Sequence, residues 1–442
     1  MSSRSSQPLE AEQQSRSTSP GQCTLPDRID GDIPVDLDIG RAGKRFLFIS
    51  RDQRSYTHAI HKYPAKFFPE LPRWIVQRFS QPGELVLDPF MGSGTANLEA
   101  MLAGRPSVGV DIDPFSRFLA RAKTTLLNGE DLRRAVHRLV ETIDAYDEFL
   151  AVENIPEFPY RDNWFRPYVL KEMGFIKGAI TGLDCTPAIR DFLLVTFSSI
   201  IRQVSQADNN CTRTVIRQRL NKQVPPGYAL NLFRKRLDSN LEGMLTLGDR
   251  TTGVPVNIPV GPSATDLSDY PEETFALALT SPPYANAVDY PRTHQLEMYW
   301  LGLANGSLRD LKRQHVGTET VLKEEYDSLR HTGIASADRV IESIYEKDPR
   351  RAYIVFKFLQ DMVKNLVEVR RVVKTGGHYV IATGCNQVRG HTFETWRYLL
   401  DIAPILGYQV DSWFVSGIIN HFIKVPRKER IDDDYVLVLS KR

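Results

Sequence analysis

Apolar residues along this chain come in two arrangements. Short runs at 85–87 (Leu85-Val86-Leu87), 107–110, 275–279 (Phe275-Ala276-Leu277-Ala278-Leu279), 378–382 and 435–439 alternate with stretches of helical composition, and a further run at 44–50 precedes them. Strands of that length separated by helices predict an α/β fold, a doubly wound, mostly parallel sheet with helices on both faces. Between 126 and 260 the alternation stops. There Phe192, Val195, Thr196, Ile200 and Val204 follow a helical period, which predicts a helical insertion. Residues 1 to about 30 are rich in Ser, Gln, Arg and Pro without any period, the mark of a disordered leader. The expected organisation is a leader over 1–42, the first part of the α/β domain over 43–125, the insertion over 126–260 and the second part over 261–442.

Composition agrees with a large enzyme. At 442 residues, 42% hydrophobic and 25% charged, the chain suffices for one large domain with an insertion or for two domains. No apolar run approaches the roughly 20 residues of a membrane span, and the N-terminus has no apolar signal core, so a cytoplasmic location is expected. Cys23, Cys185, Cys211 and Cys385 form no Cys-x-x-Cys pair, which argues against a disulfide framework and against a zinc site; no metal is expected.

Charge adds a local signal that the net +2 hides. Arg213, Arg217, Arg219, Lys222, Arg234, Lys235 and Arg236 fall within residues 209–236, and no acid lies among them. Basic clusters are usually solvated faces. This one also interleaves Asn, Gln, Thr and Tyr228, as a surface that holds phosphates and reaches bases requires, so double-stranded DNA is the expected partner.

Two segments carry candidate chemistry, each just past a strand end, where doubly wound folds bind ligands. The first is Asp88-Pro89-Phe90-Met91-Gly92-Ser93-Gly94-Thr95, in which Gly92 and Gly94 let the backbone approach a ligand closely. Asp111 ends the next apolar run, placed like the acid that grips ribose hydroxyls. Asp113 is expected to face the other way, which leaves the ribose to Asp111. Asn97 stands where a dinucleotide fingerprint needs its third glycine, and the Phe90 ring suits an adenosyl group and a sulfonium better than a pyrophosphate. Both points disfavour a nucleotide-dependent oxidoreductase.

The second segment is Thr280-Ser281-Pro282-Pro283-Tyr284. Neither proline has an N–H and both fix φ, so the carbonyls there have few internal competitors. With the Ser281 hydroxyl they can accept both hydrogens of an exocyclic amine, while Tyr284 offers a flat face to the base that carries it. A base inside a duplex reaches such a pocket only by extrusion, at roughly a few kcal/mol of lost stacking and pairing. The plain alternative is a strand ending in a proline turn.

Together these segments resemble the amino-methylating DNA methyltransferases, specifically the cytosine-N4 type that carries Ser-Pro-Pro-Tyr. The stretch from His58 to Glu70, with Lys62-Tyr63-Pro64-Ala65-Lys66-Phe67-Phe68-Pro69, resembles the part of those enzymes that closes the pocket around the methionine end of S-adenosylmethionine. Asp289 to His294, Tyr299 to Gly302 and Lys374 to Tyr379 are also similar, so the resemblance covers about 56–125 and 265–440. It implies a Rossmann-like, S-adenosylmethionine-dependent methyltransferase fold and a site-specific DNA methyltransferase acting on cytosine N4. The cofactor would meet Lys66, Asp88, Phe90, Gly92, Gly94, Thr95 and Asp111. The reacting amine would meet Ser281, Pro282, Pro283 and Tyr284, and the insertion becomes the candidate target recognition region.

A restriction-modification or related defence setting, with a cognate restriction endonuclease as candidate partner, is part of the same implication. Direct in-line transfer to the amine needs no covalent enzyme intermediate, and no cysteine follows a proline, as the nucleophile of a carbon-5 cytosine methyltransferase would. The half-site of a zinc deaminase is absent too. Adenine-N6 methylation uses the same pocket logic, usually with Asp where this chain has Ser281. RNA methylation and a non-catalytic nucleic-acid-binding module on the same fold are the remaining alternatives. Tyr299 and Trp300 are expected to pack, and His294 to be a polar partner near the loop instead of a general base.

Overall fold

The computed structural model describes residues 26–147, 154–251, 253–285, 288–304, 308–418 and 432–442. Its frame is a nine-stranded sheet formed by β1 (Asp27–Asp30), β2 (Ala42–Ile49), β3 (Val86–Asp88), β4 (Ser107–Gly109), β5 (Val256–Asn257), β6 (Phe275–Thr280), β7 (Val373–Gly384), β8 (Tyr408–Gly417) and β9 (Asp433–Lys441). The spatial order is β1-β2-β8-β9-β7-β6-β3-β4-β5. All neighbours are parallel except at β9, which runs against both β7 and β8. Every residue of β3 and β6 is buried, as parallel strands covered on both faces must be. One face packs Leu71, Trp74 and Ile75 of the helix Glu70–Phe79 against Val86, Leu277, Leu279 and Val380. The other packs Val355, Phe358 and Met362 of the helix Pro349–Val372 against Leu87, Ala278, Tyr379 and Ile381. The doubly wound, mostly parallel arrangement is thus the one expected.

Two boundaries move. Asp27–Asp30 pair with Phe46–Ile49, and Ile33 and Ile39 are buried, so the packed body begins inside the leader expected over 1–42; residues 1–25 lie outside the described residues. The strand Asp-Arg-Ile-Asp has one apolar residue in four and gives no periodic signal, because as a four-residue edge strand it is held by backbone pairing with β2 more than by a buried face. The sheet also resumes at Val256–Asn257, inside the span expected for the insertion.

Within that span lie the helices Gly129–Asp144, Pro167–Gly182, Pro187–Val204 and Tyr228–Arg250. Asn128 starts the first by accepting from the N–H groups of Glu130 and Asp131, and Thr186 starts the third by accepting from Ile189 N with Pro187 in the first turn. Their apolar faces share one core with Phe115 and Leu119 of the helix Pro114–Thr124, which fuses the insertion to the sheet domain. Trp300 is buried edge-on against Phe165 and Phe197, and Tyr299 stacks on Phe158 at 5.0 Å, so both pack as expected. Among the described residues no helix is long and apolar enough to cross a membrane.

Candidate active site

From β3 the sheet extends through β4 to β5 on one side and resumes with β6 on the other, so the winding reverses at the β3–β6 boundary. Both candidate segments emerge there. The Thr280 hydroxyl donates to Asp88 Oδ1 at 2.7 Å, a buried bond between residues 192 positions apart. Beside it opens a cleft whose walls include Tyr63, Lys66, Asp88, Phe90, Gly92, Ser93, Thr95, Asp111, Asp113, Ser281, Pro283, Tyr290 and His315.

On the glycine side the backbone itself is the wall. Gly92 has φ +50°, and a Cβ there would come within 3.3 Å of the Tyr63 ring, whose hydroxyl is hydrogen-bonded to Ser116 Oγ at 2.8 Å. Gly94 (φ +70°) has a different task from the ligand contact expected of it. It does not line the cleft, and a Cβ there would lie 2.8 Å from Ala120 Cβ, so its bareness lets the helices Thr95–Leu102 and Pro114–Thr124 approach. Asp111 accepts from Gly92 N at 2.9 Å and Asp113 N at 2.8 Å, which ties two strand ends together. Burial pushes its carboxyl up to about 6, and the charge of Asp113 adds to the effect. Burial likewise pushes Asp88 up to about 7, against the hydrogen bonds from Thr280 and Phe90 N. Lys66 lines the cleft, donates to the His58 carbonyl at 2.7 Å, and is lowered by burial.

Asp113 corrects the expectation that it faces away from Asp111. Residues two apart share a face in a strand, and although β4 stops at Gly109, both carboxylates line the same cleft. Its Oδ1 caps the following helix through Ser116 N at 2.8 Å. Its Oδ2 is buried without a hydrogen-bond partner among the described residues, with His315 Nε2 3.9 Å away.

On the proline side, Ser281 and Pro283 line the cleft. Among the described residues nothing donates to the Ser281 hydroxyl or the Pro282 carbonyl. Tyr284 is not among the lining residues; its hydroxyl donates to Asp434 at the start of β9. Burial pushes Asp434 up to about 6, opposed by that hydrogen bond. Tyr290 stacks on Tyr63 at 5.6 Å, Tyr63 on His294 at 5.1 Å and His294 on Phe115 at 4.7 Å, a ladder that joins the two sides. His294 is buried, lacks partners at both ring nitrogens among the described residues, and is held neutral because burial lowers it well below its usual value. Sequence reasoning quoted Thr280 and Tyr63 within motifs without giving them a role of their own, set Asp113 aside, and missed Asp434.

The seven basic residues split between two elements. Arg213 lines a smaller adjoining cleft with Tyr290 and Lys312 and pairs with Glu319 at 3.6 Å; Arg217 pairs with Asp208 at 3.2 Å; Arg219 is exposed. Lys222 departs from the DNA contact expected of it. Its ammonium donates to the Arg202 carbonyl (3.1 Å), the Ala207 carbonyl (2.8 Å) and Asn209 Oδ1 (3.1 Å), which uses all three donors inside the loop. Arg234, on the helix Tyr228–Arg250, is paired with Asp144, whereas Lys235 is exposed and Arg236 half-buried. Among the described residues no group of side chains could hold a metal ion.

Comparison with known proteins adds the family context. Residues 41–119, which include the glycine turn but end well before the proline loop, match the family model N6_N4_Mtase, described as DNA methylase. The type II methyltransferase M.MvaI of Kocuria varians is 27% identical over 350 residues, 74% of this chain and 76% of that one. M.BsoBI of Geobacillus stearothermophilus, also a type II methyltransferase, is 23% identical over 313 residues, 63% of this chain and 60% of that one. Among solved structures, the rRNA methyltransferase AviRa of Streptomyces viridochromogenes overlays with a TM-score of 0.32 and 11% identity, covering 86% of this chain and 88% of that one. The family match and the type II relatives support a DNA amino-methyltransferase; the fold rests on the strand order itself.

Proposed function

We propose that this chain is a site-specific DNA methyltransferase of a restriction-modification system that modifies the exocyclic N4 amine of cytosine, with S-adenosylmethionine as methyl donor. The observation that carries the reading is the Thr280–Asp88 bond, which holds the glycine turn and the proline loop as two walls of one cleft. The residues present fit the cofactor. Gly92 leaves a bare cradle against Tyr63, Phe90 offers an aromatic face to an adenosyl group and a sulfonium, and Lys66 offers a cation to a carboxylate. Asp111 takes the ribose hydroxyls, and the free Asp113 Oδ2 is a further acceptor. When bound, the cofactor supplies an electrophilic methyl on its sulfonium.

The rest is the work of the chain. Ser281 Oγ and the Pro282 carbonyl, both without donors of their own, accept the two amine hydrogens and draw the nitrogen toward a tetrahedral geometry in which its lone pair is available. The Tyr284 ring holds the base, and Asp434 holds Tyr284. As the nitrogen–carbon bond forms, the nitrogen releases one proton to water, so the neutral His294 is not needed as a base. Ser281 in the place of a carboxylate favours cytosine over adenine.

DNA lacking modification, incubated with the protein and S-adenosylmethionine and digested for nucleoside mass spectrometry, tests this directly. N4-methyldeoxycytidine is the expected product. N6-methyldeoxyadenosine would move the target to adenine, and no methylated nucleoside at all would favour a non-catalytic binding module.

A further inference from the structure

The loop between the helices Pro187–Val204 and Tyr228–Arg250 is stiff at its stem and bare at its tip. Arg202 donates to the carbonyls of Asp208 (3.0 Å), Thr212 (3.1 Å) and Arg213 (3.2 Å), Lys222 closes the other strand of the loop, and Ala207 and Ile216 form an antiparallel bridge. The Thr214 hydroxyl donates to the Thr293 carbonyl at 2.8 Å, which fastens the stem to the segment that follows the proline loop. Arg213 on this stem shares its small cleft with Tyr290, whose other neighbours line the main cleft. From Ile216 at the head of the stem onward, residues 216–221 are all exposed, with Ile216 at 39% and Leu220 at 49%, and Arg219 makes no ion pair among the described residues.

A lone exposed leucine is ordinary. Here it stands in a turn, Gln218–Leu220, directly after the exposed Arg217 and Arg219, on a stem too well bonded to fold it away. That combination fits an occupant that is anionic outside and apolar within. Duplex DNA is such an occupant: phosphates in front, stacked bases behind.

We propose that Leu220 enters the duplex where the target base leaves it, filling the vacated place in the stack while Arg219 meets the flanking phosphate. The inference rests on the reading above that a base is turned out into the Ser281 pocket. An emptied stack tends to close and re-pair; an apolar side chain in the gap removes that return path. The stem's attachment at Thr293 keeps the wedge in register with the pocket that receives the base.

The test uses the full chain and two duplexes. A site is first mapped by sequencing DNA that the wild-type protein has methylated; one duplex carries it paired, the other with an abasic residue opposite the target base. Leu220→Ala should slow single-turnover transfer about tenfold or more on the paired duplex and by no more than about twofold on the abasic one, because there the base has no partner to return to. Leu220→Met should keep the wild-type rate, and non-specific affinity and its salt slope should be unchanged, since phosphates set both. Equal losses on both duplexes, or no loss on the paired one, would overturn the wedge. A wild-type protein that methylates no DNA would fail at the mapping step and overturn the functional reading and the wedge together.

Discussion

The two walls of the cleft are held by bonds of very different reach. On the glycine side, Phe90 N to Asp88, Gly92 N to Asp111 and Asp113 N to Asp111 span 2, 19 and 2 residues. On the proline side, Thr280 to Asp88 spans 192, Tyr284 to Asp434 spans 150 and Thr214 to Thr293 spans 79. The first wall is a strand–turn–helix unit that closes on itself. The second exists only when the last strand and the insertion are in place, so distant substitutions should reach the transfer step while leaving the cofactor cradle intact.

The most forceful way to separate the walls is Ser281→Ala combined with Tyr284→Ala. Removing an acceptor for the amine and the face for the ring should lower single-turnover transfer about a hundredfold. Calorimetric affinity for S-adenosylmethionine should not change. A rate within a few-fold of wild type would reduce the loop to a structural turn.

Asp434→Asn probes the long reach itself and should cost about tenfold in transfer rate, with DNA affinity retained. In a Tyr284→Phe background the same substitution should cost nothing more, since the hydroxyl it positions is gone. A further loss there would show that Asp434 acts through another group. On the opposite wall, Phe90→Ala and Asp111→Ala should each weaken cofactor binding by about tenfold, near 1.4 kcal/mol, and leave binding of DNA unchanged. Wild-type affinity in both variants would displace the cofactor from this wall.

The mildest test needs only buffers. Asp111 is raised to about 6 chiefly by burial, so it is ionised above that pH and protonated below it. A cationic sulfonium favours the ionised form, which makes affinity full above pH 7 and several-fold weaker as pH falls through 6 toward 5. Asp111→Asn should flatten that profile; an unchanged slope would assign it to Asp88, which is raised to about 7.

The contrast in reach also explains what was legible. Val86 to Thr95 and Asp111 announce the glycine wall because strand, turn and acid are neighbours in sequence, and the structure places them as neighbours in space. Ser281 and Pro283 were legible as chemistry, but nothing local to them points to Asp434, whose surroundings Asp432-Asp433-Asp434 look like a solvated acidic turn. Charge was misleading where burial intervened. Lys222 counts as a cation in the sequence and acts as a three-way staple in the fold, and Arg234 meets Asp144 from a helix 90 residues earlier in the chain, beyond the range of any pattern. Gly94 could be read as a ligand contact because a bare backbone serves a ligand and a packed helix equally well.

The reversed direction of β9 has a reach of its own. Because it alone runs backward, Gly417 at the end of β8 and Asp433 at the start of β9 pair with each other on the edge of the sheet where Asp434 meets Tyr284. The connection between them therefore departs from and rejoins the molecule at the rim of the site, with both anchors locked into the sheet. Lengthening a connection between fixed ends is thermodynamically mild, about 0.6 kcal/mol for each doubling. Variants of this chain can thus carry a longer or shorter connection between those anchors while the sheet and the cleft beneath it are kept unchanged.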